Sequence, residues 1–205
     1  MTMDWKAQNI KIYDDSAQEL ANHFNSTGVR VDDIELGLKL AGADKSSTVI
    51  EIGCGDGRDA QEIVKRVGQY EGFDPSKGLL EIAKKNLPNT SFVVADALSY
   101  NYHQNVDVIF AFASLLHVNK TDLAIVFKKV AKSLRAGGVF YISLKERQAY
   151  SEEIKKDQYG ERMFYYYNVE LIKKIAANLF MIVHEVHYSM NKTDWFTVAL
   201  KKPIK

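Results

Sequence analysis

From Thr48 onward, short apolar runs alternate with longer segments in which apolar residues recur every three or four positions. That switching between period 2 and period 3.6 predicts a βαβ arrangement, a mostly parallel sheet with helices on both faces. Strand one is Thr48 to Ile52, and DGRDAQEIVKRV follows as a helix with Ala60, Ile63, Val64 and Val67 inward and Gly68 as its stop. QYEGF is a short second strand ending at Asp74, and Pro75 suits the first turn of the helix PSKGLLEIAKKN. SFVVA is a third strand ending at Asp96, and VDVIFAF is apolar enough to be a central fourth. Asn119 or Thr121 caps the helix DLAIVFKKVAKSL, and Gly137 and Gly138 turn it into strand five, VFYISL.

The flanks are less regular. Residues 1 to 45 read as two helices, around Ser16 to Phe24 and Asp32 to Leu40, that cap the open strand ends. Lys145 to Gly160 is polar and charged, a surface excursion. After it come a helix, VELIKKIAANL, and two β-rich runs, MIVHEVHY and WFTVAL, which pair as an antiparallel hairpin at the sheet edge. The whole reads as one domain, 1–205, with 1–45 as helical cap and 46–205 as an α/β core.

Composition narrows the partners. Twenty-seven basic against 26 acidic side chains leave a net charge of +1, so no global field favours nucleic acid or an anionic membrane, and a small-molecule ligand is expected instead. The lysine pairs at 84 and 85, 128 and 129, and 173 and 174 fall on predicted helices as solvated faces. The single cysteine, Cys54, rules out an internal disulfide and a multi-cysteine zinc site. Acids near the N-terminus and the lack of a long apolar run point to a cytoplasmic protein, a monomer or weak homodimer.

The chemistry begins at Val49 to Ala60, VIEIGCGDGRDA, where a strand runs through Gly53, Gly55 and Gly57 into a helix. Such glycines let the backbone turn sharply and approach a nucleotide-like ligand. The dinucleotide fingerprint G-x-G-x-x-G is broken, because its third glycine falls at Arg58. Glu51, Asp74 and Asp96 all project from the carboxyl ends of strands, and Asp74 stands about twenty residues after the first glycine, the offset of a carboxylate that reaches ribose hydroxyls. Acids at such positions also serve as turn formers.

These motifs, in this order, resemble the class I S-adenosylmethionine-dependent methyltransferases of small-molecule type, from about Tyr13 to Leu200. The family's acid-x-G-x-G-x-G stands as EIGCGDG, its second motif as GFDPSKGLLEIAKKN, its third as ADAL. ASLLHV with LRAGGVFYISLK, and then MFYYYNVELIKKIAANLF, resemble the later segments. The resemblance implies a Rossmann-like sheet of seven strands with the last antiparallel, and S-adenosyl-L-methionine as cofactor. It places Gly53 and Gly55 at the methionine part, Asp74 with Pro75 at the ribose, Asp96 and the Ala97 backbone at the adenine, and Phe112 and Ala113 at the sulfonium end. Glu51 orients the loop, and Cys54 is a small residue in a crowded turn rather than a nucleophile. Tyr13 matches a position on an N-terminal helix that closes over the cofactor, or it simply packs the cap.

Methyl transfer from a sulfonium needs chiefly an aligned nucleophile in a water-poor site. An O–H or N–H acceptor must still lose a proton, and His117, just past strand four, is the candidate base; the alternative is a histidine that orients its loop or binds substrate. Arg147, Arg162, Tyr165 and Tyr166 are candidates for the acceptor pocket. FASLLHV replaces the N/D-P-P-Y motif of base-amino methylation, which disfavours DNA as acceptor. Two other functions fit the same residues: a non-catalytic S-adenosylmethionine-binding regulator, and an NAD-dependent oxidoreductase.

Overall fold

A computed structural model describes residues 3–204; Met1, Thr2 and Lys205, at the ends of the expected domain, lie outside them. Seven strands form one sheet: β1 (Thr48–Ile52), β2 (Gln69–Asp74), β3 (Ser91–Val94), β4 (Val106–Phe112), β5 (Leu134–Lys145), β8 (Met181–Met190) and β9 (Thr193–Lys201). Their order is β3-β2-β1-β4-β5-β9-β8, and β9 alone runs against its neighbours, as the seven-strand expectation required.

Alternation along the strands divides the core in two. Ile50, Ile52, Ile109 and Ile142 face the helices α6 (Lys120–Ser133) and α7 (Val169–Ala176), where Val126, Phe127 and Ile172 meet them. Val49, Val108, Phe110 and Tyr141 face the opposite way, onto α3 (Val31–Ala41) through Ile34 and Leu38. Ile34 is fully buried, which stabilises the fold by about 2–3 kcal/mol. Asn119 is the cap of α6, accepting from the N–H groups of Thr121 and Asp122; α5 (Lys77–Asn86) is capped by Ser76.

Four features depart from the expectations. The N-terminal region holds three helices, α1 (Trp5–Asp15), α2 (Ala17–Ser26) and α3, and α3 is a layer on the sheet rather than part of a cap over the strand ends. The helix after β1 is only α4 (Ala60–Ile63), because Arg30 and Arg58 both bind the Asp59 carboxylate and hold the preceding loop as turns. Gly68 does not stop that helix in a left-handed cap; its N–H donates to Ser47 O and leads straight into β2. The charged excursion is itself a hairpin, β6 (Ser151–Asp157) and β7 (Gly160–Tyr166), whose β7 buries Met163, Phe164 and Tyr166.

Candidate functional site

The carboxyl ends of β1 to β4 open onto a cavity of about 250 Å³, and α1 lies across it with Trp5, Lys6, Asn9, Ile10 and Tyr13. The residues that the resemblance places at the cofactor, and the candidate base, all line this one space: Tyr13, Glu51, Gly53, Cys54, Gly55, Asp74, Pro75, Asp96, Ala97, Phe112, Ala113 and His117. Of the proposed acceptor residues only Tyr165 does; Arg147, Arg162 and Tyr166 are not among the lining residues.

The glycine loop is built by close approach. The Gly53 and Cys54 N–H groups both donate to Phe73 O, at 2.7 and 3.1 Å, which folds the chain back on β2. At Gly53, with φ +68°, a Cβ would lie 2.3 Å from that of Ser114. Gly55, at φ +55°, has only Leu79 within reach, at 3.9 Å, so open space is left over its backbone for a ligand. Across the cavity Ala113 adopts φ +51°, a costly conformation for a residue with a Cβ, and is held by hydrogen bonds from its N–H to Ser143.

Asp74 is buried and accepts from Gly55 N at 3.0 Å and Ser76 N at 2.8 Å. Burial pushes its carboxyl up to about 6, against the pull of those two N–H groups. Each oxygen still has a lone pair for a ligand hydroxyl. Asp96 is arranged differently: Leu98 N, Ser99 N and the Ser99 hydroxyl donate to it, and Lys6 of α1 ion-pairs with it at 3.1 Å. Although burial opposes it, the hydroxyl and ammonium donors hold the Asp96 carboxyl below its usual range.

Glu51 is buried beneath the loop and accepts from Tyr70 Oη at 2.5 Å. Desolvation first, then the charge of Asp59, pushes its carboxyl well above the usual carboxylate range. Burial likewise drives the Cys54 thiol well above its usual value, which leaves no thiolate for nucleophilic chemistry.

At the far end Tyr13 Oη lies 2.9 Å from His117 Nε2, and His117 Nδ1 donates to Met163 O at 2.7 Å. That second bond assigns the tautomer: Nδ1 carries the proton and Nε2 accepts from the tyrosine. What surface His117 retains faces the cavity, and enclosure by protein pushes its pKa down to about 3, with Arg162 and Lys145 adding to the fall. Burial raises the Tyr13 phenol, so this is a neutral pair. Asn9 locks it to the hairpin, its side-chain amide exchanging hydrogen bonds with Met163 N and O, each at 3.0 Å.

Several contributors were not visible as such in the sequence. Arg30, in the link between α2 and α3, stands 5.3 Å over the Phe112 ring and ion-pairs with Asp59 at 2.7 Å. Asn25 donates to Asp56 at 2.6 Å, joining α2 to the glycine loop. Asp14 of α1 accepts from the Ser76 hydroxyl and Gly78 N at the start of α5. Arg58, in place of the third dinucleotide glycine, donates to Phe24 O, Thr27 Oγ1 and Asp59. Among the described residues no group of three metal-ligating side chains is found, and no helix is long and apolar enough to cross a membrane.

Comparison with known proteins bears on this geometry. Residues 49–138 match the family model for a methyltransferase domain. A trans-aconitate 2-methyltransferase from Rhizobium etli is 33% identical over 97 residues, 46% of this chain and 37% of the relative. A malonyl-[acyl-carrier protein] O-methyltransferase from Ilyobacter polytropus is 30% identical over 123 residues, 58% of this chain and 45% of the relative. The match thus spans less than half the length of these curated relatives. A solved magnesium protoporphyrin IX methyltransferase from Synechocystis superposes with a TM-score of 0.75 over 98% of both chains, at 14% identity, which establishes a shared fold.

Proposed function

We propose that this chain, a member of the class I S-adenosylmethionine-dependent methyltransferase family, transfers the methyl group of S-adenosylmethionine to an oxygen or nitrogen of a small-molecule acceptor. The observation that carries the reading is the convergence of Glu51, Asp74, Asp96 and the open backbone of Gly55 on one cavity. Those residues fit the cofactor chemically. Asp74 offers a free lone pair on each oxygen to a vicinal diol, Asp96 offers its carboxylate to an amine that takes the place of Lys6, and Gly55 leaves room for close approach.

When bound, the cofactor supplies a methyl group already made electrophilic by its sulfonium. The chain's own task is to align the acceptor, exclude water and accept one proton. Phe112, Ala113 and Leu115 give the cavity's far end apolar walls, and α1 shields it. His117, neutral and oriented by Met163 O, is a hydrogen-bond acceptor that positions the acceptor's O–H or N–H when it replaces the Tyr13 hydroxyl. With its pKa near 3, Nε2 takes that proton only as the nucleophile acquires the methyl group, when the acceptor itself becomes acidic.

Calorimetry with S-adenosylmethionine, S-adenosylhomocysteine and NAD, together with S-adenosylhomocysteine release against a panel of small hydroxy, amino and carboxylic acceptors, tests the proposal. Binding of the first two ligands and turnover of a panel member are expected. Tight NAD binding without S-adenosylhomocysteine binding would make the chain an oxidoreductase candidate. Cofactor binding without turnover of any acceptor would favour a regulatory protein.

A further inference from the structure

Beyond the cavity, the face of the hairpin opposite Met163 and Tyr165 gathers four cations around three aromatic rings, one of them from β9. Lys145, at the end of β5 and directly across from Trp195 of β9, holds its ammonium 3.9 Å from the Phe164 ring centroid and 5.7 Å from that of Trp195. Arg162 stands 5.4 Å from the same Phe164 ring, and Arg147 and Lys155 lie 3.7 and 5.4 Å from Tyr166. Among the described residues, two carboxylates pair with them. Glu153 pairs with Arg147 and, at 3.8 Å, with Lys155, while Asp157 pairs with Arg162. Among the described residues Lys145 has no ion-pair partner, and burial together with Lys155 and Arg162 pushes its pKa down to about 8.

The hydrogen-bond donors repeat the imbalance. Arg162 Nε and Trp195 Nε1 are buried without a hydrogen-bond partner, on residues only 7% and 8% exposed, and Tyr166 Oη, beside Glu153 and Lys155, is buried without a well-formed bond to either. Unpaired buried polar atoms are rare in folded proteins, and here all three are donors. A spot with surplus positive charge and surplus donors lacks one thing, an anionic acceptor.

We propose that this cluster binds the carboxylate or phosphate group of a small molecule, with Lys145 and Arg162 as its charged partners and Trp195 and Tyr166 as further donors. The outer cations Arg147 and Lys155 are the side chains that shift to admit it. Arg162 lies 5.2 Å from the Tyr13 ring, and the Phe164 ring is 4.7 Å from that of His117, so the anion sits beside the Tyr13–His117 end of the cavity. Resting on the methyltransferase reading, the ligand is an acceptor whose anionic group is anchored here while another of its atoms meets the methyl group.

The chain has two tryptophans, so Trp5→Phe leaves Trp195 as the sole tryptophan, excited apart from the tyrosines at the red edge of the absorption band. Titrating that variant with malonate or inorganic phosphate, with chloride holding ionic strength constant and S-adenosylhomocysteine saturating, reads the site without turnover. A saturable change in Trp195 emission is expected, weakened at least tenfold by Lys145→Gln and by Arg162→Gln and restored by Lys145→Arg. The tighter of the two probes identifies the anion class. Lys145 is only half-buried, so its variants carry the test if Arg162→Gln does not fold. A response that fails to saturate, persists in Lys145→Gln, or vanishes when S-adenosylhomocysteine is added would overturn the proposal. Calorimetry of S-adenosylhomocysteine on the same samples keeps the two readings apart: its failure to bind defeats the methyltransferase assignment, whereas anion binding is then judged on Trp195 in its absence.

Discussion

Asp74→Asn separates what the site costs the fold from what it gives the ligand. Burial raises the Asp74 carboxyl from 3.8 to about 6, which at about 1.4 kcal/mol per tenfold is about 3 kcal/mol against folding once the group is ionised. The sign follows from proton binding. The folded chain holds this proton more tightly than the unfolded one, so stability rises as pH falls from about 6 toward 3.8, and the whole penalty is present above about 6. Asparagine removes the ionisation cost, but its amide must turn an N–H₂ toward either Gly55 N–H or Ser76 N–H and lose one bond, about 1–2 kcal/mol. The balance at pH 7.5 is a gain of about 1–2 kcal/mol, or about 2–8 °C in Tm for a chain of this size. At pH 4.5 the gain disappears. Loss of a charged acceptor for the ribose hydroxyls, about 1.5–3 kcal/mol, weakens S-adenosylhomocysteine by about 10- to 150-fold. Thermal melts at both pH values with calorimetry of the free variant provide the assay. A Tm lowered equally at pH 4.5 and 7.5 would refute the burial argument, and unchanged affinity would remove Asp74 from the cofactor's ligands.

Three further outcomes are expected. Gly53→Ala combines a left-handed backbone with a Cβ pressed onto Ser114 and costs about 2–4 kcal/mol; Ser114→Gly in the same chain should recover part of the lost Tm, and no recovery would mean that the strain lies elsewhere. Cys54 in the native protein should react with a disulfide reagent at pH 8 at least about 100-fold more slowly than a free thiol, and fast labelling without denaturant would show the loop to be open. Asn119→Ala removes the acceptor of both backbone N–H bonds in the first turn of α6, and its own bond to the Asp122 carboxylate, and should lower stability by about 1 kcal/mol in denaturant unfolding.

The strand-end acids were legible because each short apolar run stops at one: Ile50 and Ile52 bracket Glu51, and Phe73 precedes Asp74. In a parallel sheet those ends share one edge, so identifying the strands sufficed to gather the acids. The Tyr13–His117 pair was legible only as two separate residues, since nothing in the sequence links positions 104 apart. Arg30 was missed because a lone arginine between helices looks like any solvated charge. The hairpin was hidden by SEEIKKD, a strand whose one apolar residue, Ile154, is exposed and which buries none of its residues fully. Helix α1 escaped notice because its buried positions, Asn9 and Ile12, include a polar one, and an apolar stripe was the signal sought. The long helix after β1 was expected from its periodicity, whereas salt bridges from two arginines to Asp59 decided its start.

Asn9 carries a consequence for the timing of turnover. Its carboxamide matches a peptide unit in bonding Met163 N and O, so it behaves as a strand one residue long on the edge of the hairpin, inserted there by a helix. Pulling it away would strand Met163 N, at about 1–3 kcal/mol where water cannot reach it, while Met163 O would keep its bond from His117. Helix α1 and β7 are therefore fastened together. If α1 covers the cofactor and β7 walls the acceptor, as proposed above, any displacement of the one carries the other, and the two ligands would share one entrance rather than having two.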